Sequence, residues 1–324
     1  MPSIIDTVTP VLRKIPGVTT IIQRLSFIQD IISNKKYNYY KNLDPEKYPQ
    51  ELTHWYQSIT GKSLDLKNPR TFDEKIQWMK LYDSTPLKTQ LADKYLVRDY
   101  VAEKIGDEYL IPLLGVWNSF DEIDFDCLPN QFVLKANHGS GWNIIVQDKS
   151  KFDKKNAKKK FNKWMDTNYA YKAGLEMHYM TIPPRVIAEE YVENNGGNLF
   201  DYKVHCFDGK AAYIQYIGDR ATHTTREGWF DREWNLQSFT DGCYPKYETE
   251  VSKPPNLNEL LSLSETLASP FSYVRVDFYV LNDGTFKFGE MTFTPASGIH
   301  KWFSDGKMTP SEVDSMLGNL ITTL

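Results

Sequence analysis

The chain is poor in cysteine: Cys127, Cys206 and Cys243 stand far apart among 324 residues and form no CxxC pair. That spacing excludes a disulfide framework and a clustered-thiolate zinc site, and a reducing cytoplasm is the expected location. There is no run of 18 or more apolar residues, so no segment reads as a transmembrane helix. The N-terminus is apolar in patches, from Ile4-Ile5 to Ile31-Ile32, yet has neither the core nor the cleavage site of a signal peptide. Residues 1–36 read as helical with a break at Pro16-Gly17. Packing on the body or on a partner is their favoured role, and peripheral contact with the inner face of a membrane is the alternative. An excess of positive charge is missing too: at a formal −4 the chain lacks the basic balance of a dedicated nucleic-acid binder, and no nucleic-acid partner is expected. No Ser/His/Asp or Cys/His set is recognisable, and no Walker A or GxGxxG turn leads into a helix. What is plentiful is aromatic surface, with 20 tyrosines, which suits broad binding faces without naming a ligand.

Two arms, Val274–Val280 and Phe286–Thr292, flank Asp283-Gly284, a strong hairpin signal. Pairing outward from Asn282 opposite Thr285 sets Asp277 opposite Glu290 and Arg275 opposite Thr292, with all four side chains on one face. Val276, Phe278, Val280 and Met291 point the other way, as core. Opposed carboxylates repel unless a cation lies between them. On the hairpin alone, a divalent-metal site and a solvated face with Arg275 neutralising one acid weigh equally.

Upstream, residues 37–68 are Tyr-rich with several turn signals. Thr71 and Glu74 form a capping box ahead of Ile76, Trp78, Met79 and Leu81. A second helix is expected from Pro86 to Lys104, carrying Lys94 and Arg98 on one face, where they read as surface charges. Leu110–Val116 reads as a strand, and Ser119 with Glu122 starts a short helix. Phe132–Val146 is strand, turn, strand, with Lys135 just upstream of His138-Gly139-Ser140-Gly141. Such glycines let backbone N–H groups approach an anion, as in a phosphate-covering hairpin, although a plain turn explains them equally well. The lysines of 149–163, with Phe152 and Phe161, mark an amphipathic helix with a solvated face. Arg185–Val192 reads as a strand ending in Glu189-Glu190, followed by a turn at Asn194–Gly197. Asp201, Lys203 and His205 alternate along the next strand, and Asp208-Gly209 turns into Ala211–Tyr216. Arg220, His223 and Arg226 fall in a loop able to reach phosphates. Residues 229–255 read as irregular, and Asn256 as the cap of a helix over Leu257–Leu267.

In order, the chain offers Lys94, Lys135 with a glycine turn, Glu189-Glu190, Lys203 and the acid hairpin. This order resembles the ATP-grasp superfamily, and specifically its TupA-like branch of teichuronopeptide and capsular polysaccharide gene sets. The closest motifs are Pro69–Trp78, Val133–Gly141, Asp201-Tyr202-Lys203 and Gly289–Gly298, and the likeness covers roughly residues 45–305. It implies an α+β ATP-grasp fold in which two α+β lobes, 86–188 and 189–324, enclose ATP; residues 1–85, ahead of them, read from their own pattern as a helical N-terminal segment. By that resemblance Lys94 and Lys135 contact phosphates under a cover formed by His138, Gly139, Ser140 and Gly141. Glu189, Glu190, Tyr191 and Val192 form the adenine and ribose hinge. Asp277 and Glu290 hold Mg²⁺, with Thr292 where the superfamily commonly has Asn, a better ligand. Arg275, Arg220 and Lys203 are the candidates to act on the transferred phosphoryl group.

The expected function is an ATP-dependent carboxylate–amine ligase working through an acyl phosphate, with a carboxylate acceptor and an amine donor as substrates. By the same resemblance, the acceptor is a uronic-acid carboxyl of a surface polysaccharide or its precursor. His138 and His205 are candidates for proton transfer, with structural hydrogen bonding as the simpler role. The alternatives are a sugar kinase on the same scaffold, a glycosyltransferase of capsular polysaccharide biosynthesis, and a nucleotide-regulated assembly factor. The glycosyltransferase lacks a DxD motif or other sugar-nucleotide signature here.

Overall fold

The computed structural model describes residues 33–193, 199–219, 224–248 and 251–324. The expected break at Pro16-Gly17, most of the segment assigned to membrane or partner contact, the Asn194–Gly197 turn, and Arg220 with His223 lie outside those residues. The chain divides into two compact units, Met1–Gln50 and Glu51–Leu324. In the first, residues 33–41 are helical, and Asp44 caps a short turn at Pro45–Lys47. Among the described residues no helix is long and apolar enough to cross a membrane.

Helix α1 (Tyr48–Thr60) lies within the segment expected to be helical, across residues that also carried turn signals, and buries Leu52, Trp55 and Tyr56 at helical spacing. Helix α2 (Phe72–Tyr82) begins at the expected capping box, with Thr71 and Glu74 bonded reciprocally. The single helix expected over Pro86–Lys104 is instead two, α3 (Pro86–Ala92) and α4 (Val97–Lys104). Asp93 breaks it. Its backbone is extended, and its Oδ1 accepts the N–H groups of Tyr95 at 2.8 Å and Leu96 at 3.3 Å. A side chain that satisfies backbone donors locally competes with helix continuation.

Strands β1 (Leu113–Trp117), β2 (Phe132–Ala136), β3 (Asn143–Val146) and β4 (Val186–Glu190) form an antiparallel sheet in the order β1-β4-β2-β3. Helix α5 (Lys154–Met165) covers one face, sinking Ala157 and Phe161 against Phe120, Phe132 and Leu134 while its lysines remain exposed. The second antiparallel sheet contains β5 (Phe200–Phe207), β6 (Lys210–Gly218), β7 (Arg226–Asp231), β9 (Tyr273–Val280) and β10 (Phe286–Thr292), ordered β10-β9-β5-β6-β7. Arg226 therefore opens a strand and is not in the loop expected for it. A two-stranded ribbon pairs β8 (Phe239–Thr240) with β11 (Phe303–Ser304), giving structure to part of 229–255. Helix α6 (Leu257–Ala268) forms as expected with Asn256 at its N-cap position, but the Asn256 side chain makes no capping bond and instead donates to Gly284 O at 3.4 Å. Helix α7 (Pro310–Gly318) closes the chain's regular structure.

The five-stranded sheet is covered unevenly, and this is what makes a site. Val204, Cys206, Ile214, Val276, Phe278 and Met291 meet Leu257, Leu260, Leu261 and Leu267 of α6 on one face. Each such leucine contributes about 1.5–3 kcal/mol by leaving water. On the other face, only the end bearing Phe207, Trp229 and Tyr273 is sealed, by Phe72, Ile76 and Met79 of α2 and by Val313 and Leu317 of α7. The remaining part of that face carries the charged residues.

The β9–β10 hairpin has the expected register at the site but not at its turn. Leu281 N–H donates to Thr285 O at 2.9 Å, closing a three-residue loop that ends with Gly284 at φ +83°. Phe286 and Phe288 therefore pair with Val280 and Phe278, one step short of the expected alignment. A bulge at Gly289 restores the step, so Glu290 faces Asp277 and Thr292 faces Arg275. The four residues Phe286, Phe288, Glu290 and Thr292 share one parity. In a regular strand they would all point the same way, and the bulge lets the phenylalanines enter the core while the acid and hydroxyl stay on the open face.

Candidate functional site

Two charged clusters, one on each sheet, make up the site. On the five-stranded sheet, register places Lys203 beside Asp277 and His205 beside Arg275. Arg275 donates from Nε to Asp277 Oδ1 and from Nη2 to Asp277 Oδ2, both at 2.7 Å. Its Nη2 also reaches Glu290 Oε1 at 3.2 Å and Thr292 Oγ1 at 3.1 Å. Lys203 Nζ lies 2.6 Å from Asp277 Oδ2 and 3.0 Å from Asp201 Oδ2. Three carboxylates thus face two cations, leaving an excess of negative charge. Burial opposes charge at each group, but for Asp277 the Arg275 and Lys203 cations outweigh it and hold the acid below the usual carboxylate range. Asp201 and Asp277 in the same way hold Lys203 above its ordinary value. Glu290 is the most accessible acid of the set, with its side chain 34% exposed against 4% for Asp277.

On the four-stranded sheet, Lys135 of β2 forms an ion pair with Glu189 of β4, and Arg98 Nη1 of α4 reaches the other oxygen of Glu189 at 3.3 Å. Lys94 lies in the break between α3 and α4. Its backbone N–H donates to Asn137 O at 3.1 Å and its Nζ to Gly139 O at 2.5 Å, tying it to both ends of the glycine turn. Burial lowers the Lys94 pKa, and the charge of Glu290 acts in the opposite direction. That influence joins the two clusters: Lys94 on one side of the site senses the acid on the other.

The glycine turn is braced from behind. The His138 ring nitrogens lie 3.1 Å from Asn137 Oδ1 and 3.1 Å from Trp164 O, and burial lowers its pKa. The ring is thus occupied in holding the turn. A Cβ on Gly139 would come within 2.5 Å of the Trp142 ring and 2.8 Å of Tyr169, while Gly141 adopts φ +71°, so neither position suits another residue. Ser140 is exposed at the tip.

A cleft of about 390 Å³ reaches Lys135 and Glu189 of one cluster and Asp201 of the other. Apolar walls come from Ile111, Val133, Ile145, Val192 and Tyr279, and Lys135, Glu189, Glu190 and Asp201 line it with charge. Tyr191, beside it, accepts from Gln147 Nε2 at 2.8 Å and donates to Glu193 at 2.9 Å. Of the residues singled out from sequence, Lys94, Lys135 and the 138–141 turn gather with Glu189–Val192 at one side. Lys203, Arg275, Asp277, Glu290 and Thr292 gather at the other. His205 is buried among Tyr273, Trp229 and Arg275, with its Nδ1 2.8 Å from the Tyr273 hydroxyl, and burial with the Arg275 charge keeps its pKa well below the ordinary value. Asp201, on the charged face expected for its strand, joins the gathered residues, and Arg98 and Ile111 lie beside them although the sequence pointed to neither there. For Arg98 the signal was its spacing from Lys94, discounted because both seemed to lie on a solvated helix.

Further along the same sheet, Gln215 Nε2 donates at 3.0 Å to both Glu227 and Asp241, and Gly242 N–H donates to Glu227 at 3.0 Å. The Cys243 sulfur lies within 4.8 Å of both acids. With Glu227 fully buried and Asp241 nearly so, two charged carboxylates at this spacing repel, and the set reads as two carboxyls sharing one proton. Burial, then the charge of Asp241, pushes Glu227 up to about 8. The folded protein therefore holds a proton that the unfolded chain releases near 4.5, and this stabilisation is complete below the unfolded value and lost as pH rises through the folded one. The melting temperature should fall between about pH 5 and 8.5. Glu227→Gln, whose amide donates where the shared proton sits, should flatten that slope; an unchanged slope would place the titration elsewhere.

The family model described as TupA-like ATPgrasp matches residues 74–322. No curated protein matches the chain. Among solved structures, D-alanine–D-alanine ligase from Bacillus anthracis complexed with ATP is 19% identical, with a TM-score of 0.43 over 72% of this chain and 65% of its own. An L-amino acid ligase from Bacillus licheniformis is 12% identical, with a TM-score of 0.45 over 78% and 56%. N5-carboxyaminoimidazole synthetase from Staphylococcus aureus complexed with ADP is 11% identical, with a TM-score of 0.37 over 72% and 53%. The chain thus spans between about half and two thirds of the length of these proteins.

Proposed function

Because the chain belongs to the TupA-like ATP-grasp family, we propose that it is an ATP-dependent carboxylate–amine ligase whose nucleotide occupies the cleft between the two sheets. One observation carries the reading: Asp277 and Glu290 pair across adjacent strands with Arg275 bonded to both and Lys203 to Asp277, and the buried Lys94 on the other sheet's side feels the charge of Glu290. An ATP polyphosphate requires this division, with ammonium groups along one side and oxygen donors for a hard cation along the other.

The apolar walls beside Glu190–Val192 suit adenine, and the backbone there is free of strand pairing beyond Glu190. Asp277, Glu290 and the Thr292 hydroxyl offer oxygen ligands only, which fits Mg²⁺ and argues against a soft metal. Mg²⁺ bound there would neutralise charge on the β- and γ-phosphates. Lys94 and Lys135 orient those phosphates beneath the glycine turn, and Arg275 offsets charge on the group in transfer. Glu189 holds Lys135 at the cleft wall through their ion pair and is itself held by Arg98. In the reaction, a carboxylate oxygen attacks the γ-phosphorus, ADP leaves, and an amine displaces phosphate from the acyl phosphate to form the amide.

The finer reading, that the acceptor is a uronic-acid carboxyl of a surface polysaccharide or its precursor, rests on the family resemblance. The test is ADP release with hydroxylamine as the trapping amine across a panel of uronates. A hydroxamate formed only with ATP, Mg²⁺ and one carboxylate is expected. ATP turnover without any trappable acyl group across the panel would overturn the ligase assignment.

A further inference from the structure

The motif Pro69–Trp78 heads the family resemblance, yet none of its residues enters the cleft chemistry. Its helix, α2, carries Asp73, Gln77 and Lys80 along one stripe, all at most 1% exposed. Buried polar side chains need internal partners, and those of this stripe converge on one segment. Asp73 accepts from His300 N–H at 3.0 Å and pairs with His300 Nδ1 at 2.6 Å. Gln77 Nε2 donates to Ser297 O at 3.0 Å and to Gly298 O at 2.6 Å. Lys80 Nζ donates to Ser297 O at 2.6 Å and to Gln77 Oε1 at 3.0 Å, with the Trp55 ring 4.4 Å away.

That segment is strained. Ala296, Ser297 and Gly298 have φ of +46°, +54° and +64°, and the first two are not glycine. Consecutive left-handed residues do not persist unless their surroundings hold them. Thr294, which opens the segment, donates to Glu176 at 2.7 Å, and Ser297 Oγ donates to Ala173 O at 2.6 Å. A Cβ on Gly298 would lie 2.5 Å from Gln77 Nε2, so helix and loop are fitted to each other. The segment leaves β10 directly after Thr292, which bonds Arg275 and Glu290. It therefore borders the acid cluster at the end of the strand, away from the 190–193 hinge.

We propose that Asp73, Gln77 and Lys80 are positioning residues: α2 holds 294–300 in its left-handed shape so that this segment forms part of the seat of the carboxylate substrate. The proposal rests on the ligase reading for the identity of that substrate, and on geometry alone for the clamp. The stripe explains why a helix outside the cleft carries three buried polar residues where apolar ones would pack at lower cost.

The test pairs two variants that approach the contact from opposite sides. Gln77→Met keeps the side-chain shape and removes both donors, and Gly298→Ala pushes the loop off the helix. In each, amide hydrogen exchange at 296–300 should quicken at least about tenfold while exchange in β9 is unchanged. Affinity for ATP–Mg²⁺, measured by calorimetry, should stay within about twofold. The KM for the carboxylate that yields hydroxamate in the wild type should rise about 10–100-fold, the scale expected for a displaced positioning group. Unchanged exchange at 296–300 would overturn the clamp. ATP–Mg²⁺ affinity falling in step with ligation would overturn the assignment to the carboxylate seat. Should the wild type give no hydroxamate with any uronate, the ligase reading fails, while the exchange measurement still decides the clamp.

Discussion

Replacing Glu290 with Gln should lower ATP turnover at least about a thousandfold and leave the melting temperature within a few degrees of the wild type. Replacing Asp277 with Asn should cost both activity and stability. The two acids face each other, but they differ in what they support. Glu290 is a third exposed and accepts only edge contacts, at 3.1 Å from Thr292 and 3.2 Å from Arg275. Its amide analogue keeps those contacts and loses the charge that a divalent cation requires. Asp277 is 3% exposed and accepts bonds from both Arg275 and Lys203. Neutralising it leaves Lys203 with Asp201 and Arg275 with only the longer contact to Glu290, and breaking a buried ion pair from one side costs about 3–5 kcal/mol. Turnover and melting of the two variants, measured side by side, separate the roles. A Glu290→Gln protein that turned over ATP within tenfold of the wild type would remove this acid from the metal site.

The charged half of the site was legible because strand alternation is simple arithmetic. Asp201, Lys203 and His205, and Arg275 with Asp277, needed only a period of two to be placed on one face. The acid pair was placed correctly through two displacements that cancel, a three-residue turn and the Gly289 bulge. A bulge leaves only a weak mark in sequence, here a glycine between Phe288 and Glu290, because any residue count is compatible with a regular strand until its neighbours are known.

What stayed hidden was tertiary in origin. Arg98 follows Lys94 by four residues and so looked like its neighbour on a helix surface. In the fold the two part, because the Asp93 side chain captures two backbone donors and ends α3: Lys94 bonds the glycine turn from the break, and Arg98 reaches Glu189 from α4. Asp73, Gln77 and Lys80 were placed on α2 by the capping box, but nothing local distinguishes a buried polar stripe from a solvated one. Their partners lie more than 200 residues away in sequence. Helix α1 lies in the segment expected to be helical, but its bounds were not legible because its buried Leu52, Trp55 and Tyr56 sit among tyrosine and turn-forming residues that dilute the pattern.

Arg275→Met should produce a protein that is less stable alone, more responsive to Mg²⁺, and nearly inactive. The guanidinium makes two 2.7 Å bonds to Asp277 and reaches Glu290 and Thr292 as well, so it is the internal counter-cation of the acid cluster. Methionine preserves much of the stem and removes the charge. Asp277 then keeps only Lys203, and the loss should lower stability in chelator by about 3–5 kcal/mol. The same loss deepens the negative potential where a divalent cation would sit. Binding to the folded state stabilises it in proportion to the logarithm of ligand over Kd, so added Mg²⁺ should recover much of the lost stability in the variant and shift the wild type little. Turnover should nonetheless fall about 10³-fold, because a group that offsets charge on the transferring phosphoryl is gone however tightly the ion binds. Melting curves in chelator and across a Mg²⁺ series, with ADP release on the same samples, give the three readouts. Equal Mg²⁺ shifts in variant and wild type would mean that Arg275 and the cation do not compete for Asp277 and Glu290, and the metal would have to be placed elsewhere.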